Sequence, residues 1–128
     1  MSSPIVFISH FKVKEGKLSE LRQHAHAMTE LLDAQKPGTV AFLQFLNEEG
    51  TLLSIVHVFP DADAFDRHAE GVAERSRAAL EFIIPTRREL YGTPSDSARA
   101  MLEPPEGSGI TLAVMTEPMT GYMRLRAT

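Results

Sequence analysis

Two histidines interrupt apolar stretches whose alternation is typical of β-strands. His10 lies within Ile5–Val13, and His57 lies within Leu52–Phe59. If both imidazoles point into one apolar pocket, burial disfavours their charged forms, and a neutral imidazole is a usable general base. In the other interpretation, one or both rings point to a rim or have partners in the core. Both interpretations stay open because the strand register is uncertain by one residue.

A third histidine, His68, follows the start of a predicted helix. Pro60 ends the preceding strand, and Asp61 or Asp63 can cap the helix. A functional His68 would shuttle protons or contact a ligand at the mouth of a pocket. We favour a structural role, in which the ring packs against the strand end or bonds to a nearby carbonyl group.

The sequence predicts no metal site and no nucleotide site. His24 and His26 are two apart on a predicted helix, so they point about 200° apart and cannot chelate one ion together. The chain has no cysteine, which excludes a thiolate nucleophile or ligand. Catalytic and phosphate-binding motifs such as HExxH, GxSxG and GxGxxG do not occur. We therefore expect no metal and no cofactor.

Composition favours a cytoplasmic globular protein. The chain has 128 residues, 43% of them hydrophobic, with a net charge of -4. This balance lacks the basic excess that binding to nucleic acid requires, so nucleic acid is not an expected partner. The longest apolar run near the N-terminus, residues 4–8, is too short for a membrane span or a signal peptide. We expect no membrane partner.

The apolar positions also predict the elements that hold these histidines. Strands are predicted at 5–13, 40–47, 52–59 and 87–91. One helix is predicted from Leu18 to Lys36, and a second carries His68, continues or restarts at Gly71, and ends at Pro85. This order predicts an α+β fold of the ferredoxin-like split βαβ type, with both helices on one face of an antiparallel sheet.

The chain divides into two parts in this interpretation. Residues 1–92 form the α+β domain, and residues 93–128 form a C-terminal extension with a helix and a hairpin. Ser95 is the predicted N-cap of that helix, residues 103–109 form a linker, and a strand over 110–117 returns through an arm at 122–125.

The predicted strands are apolar on both faces, although two helices can cover only one face. The uncovered face would expose a larger apolar patch than monomers usually tolerate, so we expect a homodimer in which two sheets pack together. The apolar residues from which this interface is predicted are Ile5, Phe7, Ile8, Phe42, Phe45, Ile55 and Val58.

Three stretches resemble a known family. They are FKVKEG at 11–16, the predicted hairpin around Gly50, and FPDADAFDRH at 59–68. Over roughly residues 4–92 the chain is similar to the antibiotic biosynthesis monooxygenase-like domains of the dimeric α+β barrel superfamily. The resemblance implies a dimeric barrel and cofactor-independent oxygenation of a small aromatic substrate. Family members that degrade haem look as if they depend on three residues together: an asparagine, a tryptophan and the helix histidine. Here Phe59 stands where the tryptophan is typical and the first strand has no asparagine, so haem is not an expected ligand.

Two functions from different classes remain. The first is an oxygenase in which His10 or His57 is the base, with His68 as a further catalytic candidate. The residues expected to contact or orient its substrate are Gln44, Ser54, Phe59 and Tyr91. The second is a dimeric module that binds a small molecule or simply associates, without turnover. Whether His10, His57 and Gln44 line one closed cavity distinguishes the two.

Overall fold

The computed structural model describes residues 3–124. Within this range, five strands form a single sheet with the order β2-β3-β1-β4-β5. In chain order, the elements are β1 (Ile5–Val13), α1 (Leu18–Gln35), β2 (Ala41–Leu46), β3 (Leu52–Phe59), α2 (Ala62–Ala69), α3 (Val72–Ala79), β4 (Ile83–Tyr91), α4 (Asp96–Leu102) and β5 (Thr111–Met115). The first four strands pair antiparallel, so the predicted α+β, ferredoxin-like fold is confirmed. No helix in this range is long and apolar enough to cross a membrane.

The C-terminal extension adds a strand to the sheet, although not as a hairpin. β5 pairs with β4 in parallel, because α4 and the loop after it carry the chain back along the sheet, as a parallel pairing requires. Ser95 caps α4 as predicted, and its hydroxyl accepts a bond from the Ala98 amide at 3.2 Å. Residues 116–124 contain no strand, so residues 122–124 do not form the predicted returning arm. Its last residue, Leu125, lies outside the described residues.

The fourth strand begins earlier than predicted, and Pro85 lies inside it. The helix that was predicted to end at Pro85 ends at Ala79. The register between β1 and β4 shifts by one residue, because Arg87 is opposite His10 whereas Pro85 is opposite Phe11. The extra residue of this bulge is Thr86, whose hydroxyl donates to the His10 carbonyl at 3.1 Å. Proline has no N–H for a ladder bond, so a bulge is where a strand tolerates it.

Two short helices follow β3 in place of one continuous helix. Asp61 caps α2, and its carboxylate accepts a bond from the Ala64 amide at 2.8 Å. Gly71 then adopts a φ of 81°, in the left-handed region that glycine occupies without strain. This residue separates α2 from α3. The chain therefore restarts at Gly71, one of the two predicted outcomes.

One face of the sheet is covered by helices. Phe7 in β1 is directly opposite both His57 in β3 and Leu90 in β4, and His57 is opposite Phe42 in β2. Directly opposite residues point to the same side of a sheet. The Phe7 ring lies 5.9 Å from that of Phe65 in α2, so this side is the helix face. All four helices contribute residues to the apolar clusters on it.

The other side is the open face. It carries the side chains that alternate with those of the helix face. They are Val6, Ile8, His10, Lys12, Ala41, Leu43, Phe45, Leu52, Ser54, Val56, Val58, Ile84, Arg87, Glu89 and Tyr91. The predicted interface set is therefore divided. Ile8, Phe45 and Val58 lie on the open face, whereas Ile5, Phe7, Phe42 and Ile55 lie on the helix face.

Candidate functional site

A cavity of about 330 Å³ lies between the helix face and the helices. This volume is at the lower end of the range for small-molecule sites. Both His57 and His68 line it. The other polar residues in its lining include Ser9, His24, Gln44, Arg75, Ser76, Arg87 and Arg88, and the rest of the wall is mainly aliphatic and aromatic.

The His57 ring is held by the backbone of the neighbouring strand. Its Nδ1 lies 3.1 Å from the Phe7 carbonyl oxygen. A carbonyl only accepts hydrogen bonds, so Nδ1 carries the proton and Nε2 carries the lone pair of the neutral ring. Only 8% of the residue is exposed, and the pKa of His57 is lowered to about 4, chiefly by burial; the bond to the Phe7 carbonyl opposes this lowering, and the Arg75 charge adds to it. His57 is therefore a neutral imidazole at pH 7, with a basic nitrogen available.

His68 packs against His57 from the helix side. The two ring centroids are 5.2 Å apart and the planes are nearly perpendicular, at 82°. Its Nδ1 shares a 2.8 Å hydrogen bond with the Thr39 hydroxyl. The pKa of His68 is lowered to about 3, chiefly by burial and then by repulsion between its charged form and His57, Arg75 and Lys36. The ring packs against His57 of β3, as the favoured structural role predicts, and it also lines the cavity.

Phenylalanine rings surround both imidazoles. Phe7 and Phe42 lie 5.3 and 5.2 Å from the His57 ring and are partly exposed, so they form the aromatic wall that a ligand would meet. Phe59 stacks on Phe65 at 4.9 Å and has no exposed surface. Phe59, predicted to contact the substrate, is among the residues that line the cavity, although other side chains cover its surface in the structure.

Gln44 lies in the cavity wall but is tied to α1. Its amide nitrogen donates to the Ala25 carbonyl at 3.2 Å and to the Thr29 hydroxyl at 3.3 Å. The amide oxygen is therefore the group that Gln44 could offer to a ligand.

The other three predicted site residues lie on the open face. His10 Nδ1 bonds to the Ser54 hydroxyl at 2.8 Å, and its Nε2 bonds to the Glu89 carboxylate. The Tyr91 hydroxyl donates to Glu89 at 2.6 Å. His10 also borders the cavity at the bulge, but both of its ring nitrogens are engaged on the open face. His10, His57 and Gln44 thus all border one cavity, but His10 is opposite Ser54 whereas His57 is opposite Phe7, so the two imidazoles project from opposite faces of the sheet.

Glu89 completes a network on the open face that sequence reasoning missed. The hydrogen bond from Tyr91, followed by that from His10, lowers the pKa of the Glu89 carboxyl. The same bond to Glu89 raises the pKa of Tyr91. The network thus joins four polar side chains of the open face, those of His10, Ser54, Glu89 and Tyr91.

Arg75 and His24 are cavity residues that the sequence did not identify. Arg75 lines the cavity and donates to the His68 carbonyl at 2.6 Å. His24 also lines the cavity, with its ring 5.2 Å from Phe82. Neither had a sequence signal, since both lie in ordinary charged or polar helix positions.

The described residues contain no group of three or more histidines and carboxylates that could hold a metal ion. The cavity can instead bind an apolar or aromatic molecule and present one neutral basic nitrogen to it.

Comparisons with known proteins bear on the fold. No family model and no curated protein matches the chain. Among solved structures, MupZ from Pseudomonas fluorescens is 18% identical with a TM-score of 0.68, and the match covers 93% of this chain and 95% of that one. SnoaB from Streptomyces nogalater, a cofactor-independent oxygenase, is 21% identical with a TM-score of 0.58, over 73% of this chain and 96% of that one. A candidate antibiotic biosynthesis monooxygenase from Caulobacter crescentus is 16% identical with a TM-score of 0.61, and the match covers 70% of this chain and 88% of that one.

The match to MupZ is longer than residues 1–92, so it includes part of the C-terminal extension. Identities this low establish a shared fold and nothing further. The resemblance predicted from the sequence is confirmed at this level, and the chain has the fold of the antibiotic biosynthesis monooxygenase-like proteins.

Proposed function

We propose that the protein is a cofactor-independent monooxygenase that oxidises a small, electron-rich phenol in the cavity of the helix face. The observation that carries this proposal is the His57 ring, whose Nδ1 donates to the Phe7 carbonyl and whose Nε2 keeps a lone pair within an aromatic cavity of about 330 Å³. SnoaB has the same fold and is a cofactor-independent oxygenase, which supports the same class of reaction here.

The reaction balances without an external reductant. A phenol with a free ring carbon reacts with one molecule of oxygen to give a quinone and one molecule of water. One oxygen atom replaces the hydrogen on that carbon, and the phenolic O–H becomes the second carbonyl group. The other oxygen atom leaves as water with these two hydrogens, and the substrate supplies all four electrons.

His57 starts this reaction as the general base. It takes the phenolic proton at Nε2, and the resulting phenolate is the electron-rich form that reacts with oxygen. The low pKa of the free imidazole keeps it unprotonated at neutral pH. Once the phenolate forms, opposite charges at close range stabilise the imidazolium and raise its pKa. His68 holds the His57 ring and borders the substrate, while Gln44 offers its amide oxygen to a substrate hydroxyl.

Oxygen consumption tests this proposal. Purified protein is mixed with a panel of naphthols and hydroquinone ethers in the presence of a metal chelator and with no flavin. We expect oxygen uptake above the uncatalysed rate and one ¹⁸O atom from labelled oxygen in the product. Phenols that bind without any uptake across the panel would contradict the proposal.

That contradicting result would favour the second function, a binding module without turnover. One observation supports this alternative, which is that most polar groups of the cavity already have protein partners. The Nδ1 of His57 bonds to the Phe7 carbonyl, and the Nδ1 of His68 bonds to the Thr39 hydroxyl. The amide nitrogen of Gln44 donates to the Ala25 carbonyl in α1.

We also propose that two copies pack through their open faces. Four large apolar residues there are about half exposed in the single chain: Leu43 at 49%, Phe45 at 57%, Leu52 at 50% and Ile84 at 47%. A patch of this kind marks an interaction surface. The resemblance to dimeric barrels supports a second copy, related by a two-fold axis, as its occupant. The network of His10, Ser54, Glu89 and Tyr91 would then lie in the interface, at a distance from the chemistry at His57.

A further inference from the structure

The Arg75 guanidinium borders the same cavity in a fixed position. Its Nη2 donates to the His68 carbonyl at 2.6 Å, and its Nη1 donates to the Glu70 carbonyl at 2.7 Å. Both carbonyls belong to the C-terminal end of α2, so these bonds also cap that helix. A guanidinium has five N–H donors, and the two bonds leave three of them for other partners.

The positive charge of Arg75 has no carboxylate partner in the described part of the chain. The ion pairs found there are His10 with Glu89, Lys17 with Glu20, and Arg99 with Glu103. Partial burial lowers the pKa of Arg75, as expected for a cation removed from water. A desolvated charge is usually paired, and helix capping by neutral carbonyl groups does not provide that pairing.

The charge of Arg75 makes this end of the cavity positive. Its charge lowers the pKa of both His57 and His68, which shows that it acts on the two imidazoles. Both rings are neutral at pH 7, and Arg75 is the cavity-lining cation that acts on both of them. An anion bound there would meet the Arg75 charge, which no carboxylate of the described residues pairs.

Gly71 leaves room for this arrangement. A Cβ atom built on Gly71 would lie 3.2 Å from Arg75 Nη1, closer than an ordinary van der Waals contact. The glycine that separates α2 from α3 therefore also lets the guanidinium turn back to the end of α2. The absence of a side chain at Gly71 therefore helps to place the guanidinium beside the cavity.

We propose that Arg75 recognises a carboxylate, or a similar oxyanion group, on an aromatic ligand whose ring lies against Phe7 and Phe42. This inference rests on the proposed function only in requiring that the cavity bind an aromatic ligand. Planar guanidinium groups bind carboxylates through paired, charge-assisted hydrogen bonds. The ligand class is thus an aromatic acid, with the acid group toward α3 and the ring toward the sheet.

Binding of two probes of nearly equal shape tests the inference. 2-Naphthoate carries the carboxylate, and 2-naphthamide replaces it with a neutral amide. We expect the wild-type protein to bind naphthoate more tightly by about tenfold or more, the scale of one charge-assisted hydrogen bond. Arg75→Gln should bring the two affinities together. Arg77→Gln is the matched control, because Arg77 is exposed on the same helix and does not line the cavity.

Titration calorimetry on the three proteins gives the affinities, and circular dichroism checks that each variant is folded. If Arg75→Gln does not fold, Arg75→Lys is the second variant. Lysine keeps the positive charge but cannot make the paired hydrogen bonds of a guanidinium, so this variant should retain only part of the preference for naphthoate over naphthamide. Equal affinities for the two probes in the wild type, a full preference in either Arg75 variant, or binding of neither probe would overturn the inference. Oxygen uptake with neutral phenols is a separate readout. Its absence beside a clear naphthoate preference would overturn the oxygenase proposal and leave this inference standing.

Discussion

The imidazole rings of His57 and His68 meet edge to face, with their centroids 5.2 Å apart. Charge on one ring disfavours charge on the other, and burial disfavours charge on both. Each ring is oriented by a different part of the chain, His57 by the Phe7 carbonyl in β1 and His68 by Thr39 before β2. The pair therefore stays neutral at physiological pH and keeps a fixed geometry beside the cavity.

The free energy of unfolding should fall as the pH is lowered from about 6.5 toward 4. In the unfolded chain both imidazoles take up a proton near 6.5, whereas the folded pKa values are about 4 for His57 and about 3 for His68. The unfolded state therefore binds more protons in this window, and acid favours it by up to about 1.4 kcal/mol per pH unit for each ring. Denaturant unfolding at several pH values measures the slope.

His57→Gln should flatten this pH dependence, because one of the two buried imidazoles is gone. His26→Gln is the control, since His26 is exposed on α1, and this variant should keep the wild-type slope. A His57→Gln slope identical to that of the wild type between about pH 6.5 and 5 would mean that the ring is not buried as described.

Thr39→Val should lower the free energy of unfolding by about 1 to 3 kcal/mol, because it leaves the buried Nδ1 of His68 without its hydroxyl partner. Valine has nearly the shape of threonine, so packing changes little. Thr116→Val is the control, at an exposed position, and should change stability by less than about 0.5 kcal/mol. Equal effects of the two substitutions in thermal or chemical unfolding would argue against a Thr39–His68 bond.

Phe45→Lys should convert the proposed dimer into a folded monomer. Phe45 is 57% exposed in the single chain, so lysine is tolerated there, but an unpaired charge inside an apolar interface costs several kcal/mol. Leu31→Lys, on an exposed part of α1, should leave assembly intact. Sedimentation at micromolar concentration distinguishes these states, and a monomeric wild type would refute the dimer itself.

Most of the fold could be predicted because local patterns specify it. Alternating apolar residues marked β1 and β3, and Asp61 and Ser95 cap helices as their positions indicated. Pro85 misled the prediction of β4, because a proline is a typical helix end and only the bulge opposite His10 makes it acceptable in a strand.

The composition of the site could not be predicted, because it depends on the register between β1 and β3. The two strands are far apart in the sequence, so no turn between them sets the pairing. A shift of one residue would have brought His10 to the side of His57. Arg75 was missed for a related reason. Its role depends on where α2 ends, at Ala69, and on the turn at Gly71, and a charged residue in a short helix is usually exposed.

Oxygen uptake by His57→Gln and His10→Gln, measured side by side with the best phenol substrate, tests the central claim most directly. The two histidines interrupt neighbouring strands, yet His57 lies in the cavity wall and His10 is bonded on the open face. We expect His57→Gln to lose about a hundredfold in turnover, the usual scale for a general base, while His10→Gln keeps turnover within a few fold of the wild type. A large loss in His10→Gln together with a near-normal rate in His57→Gln would contradict the account, because the chemistry would then belong to the other face of the sheet.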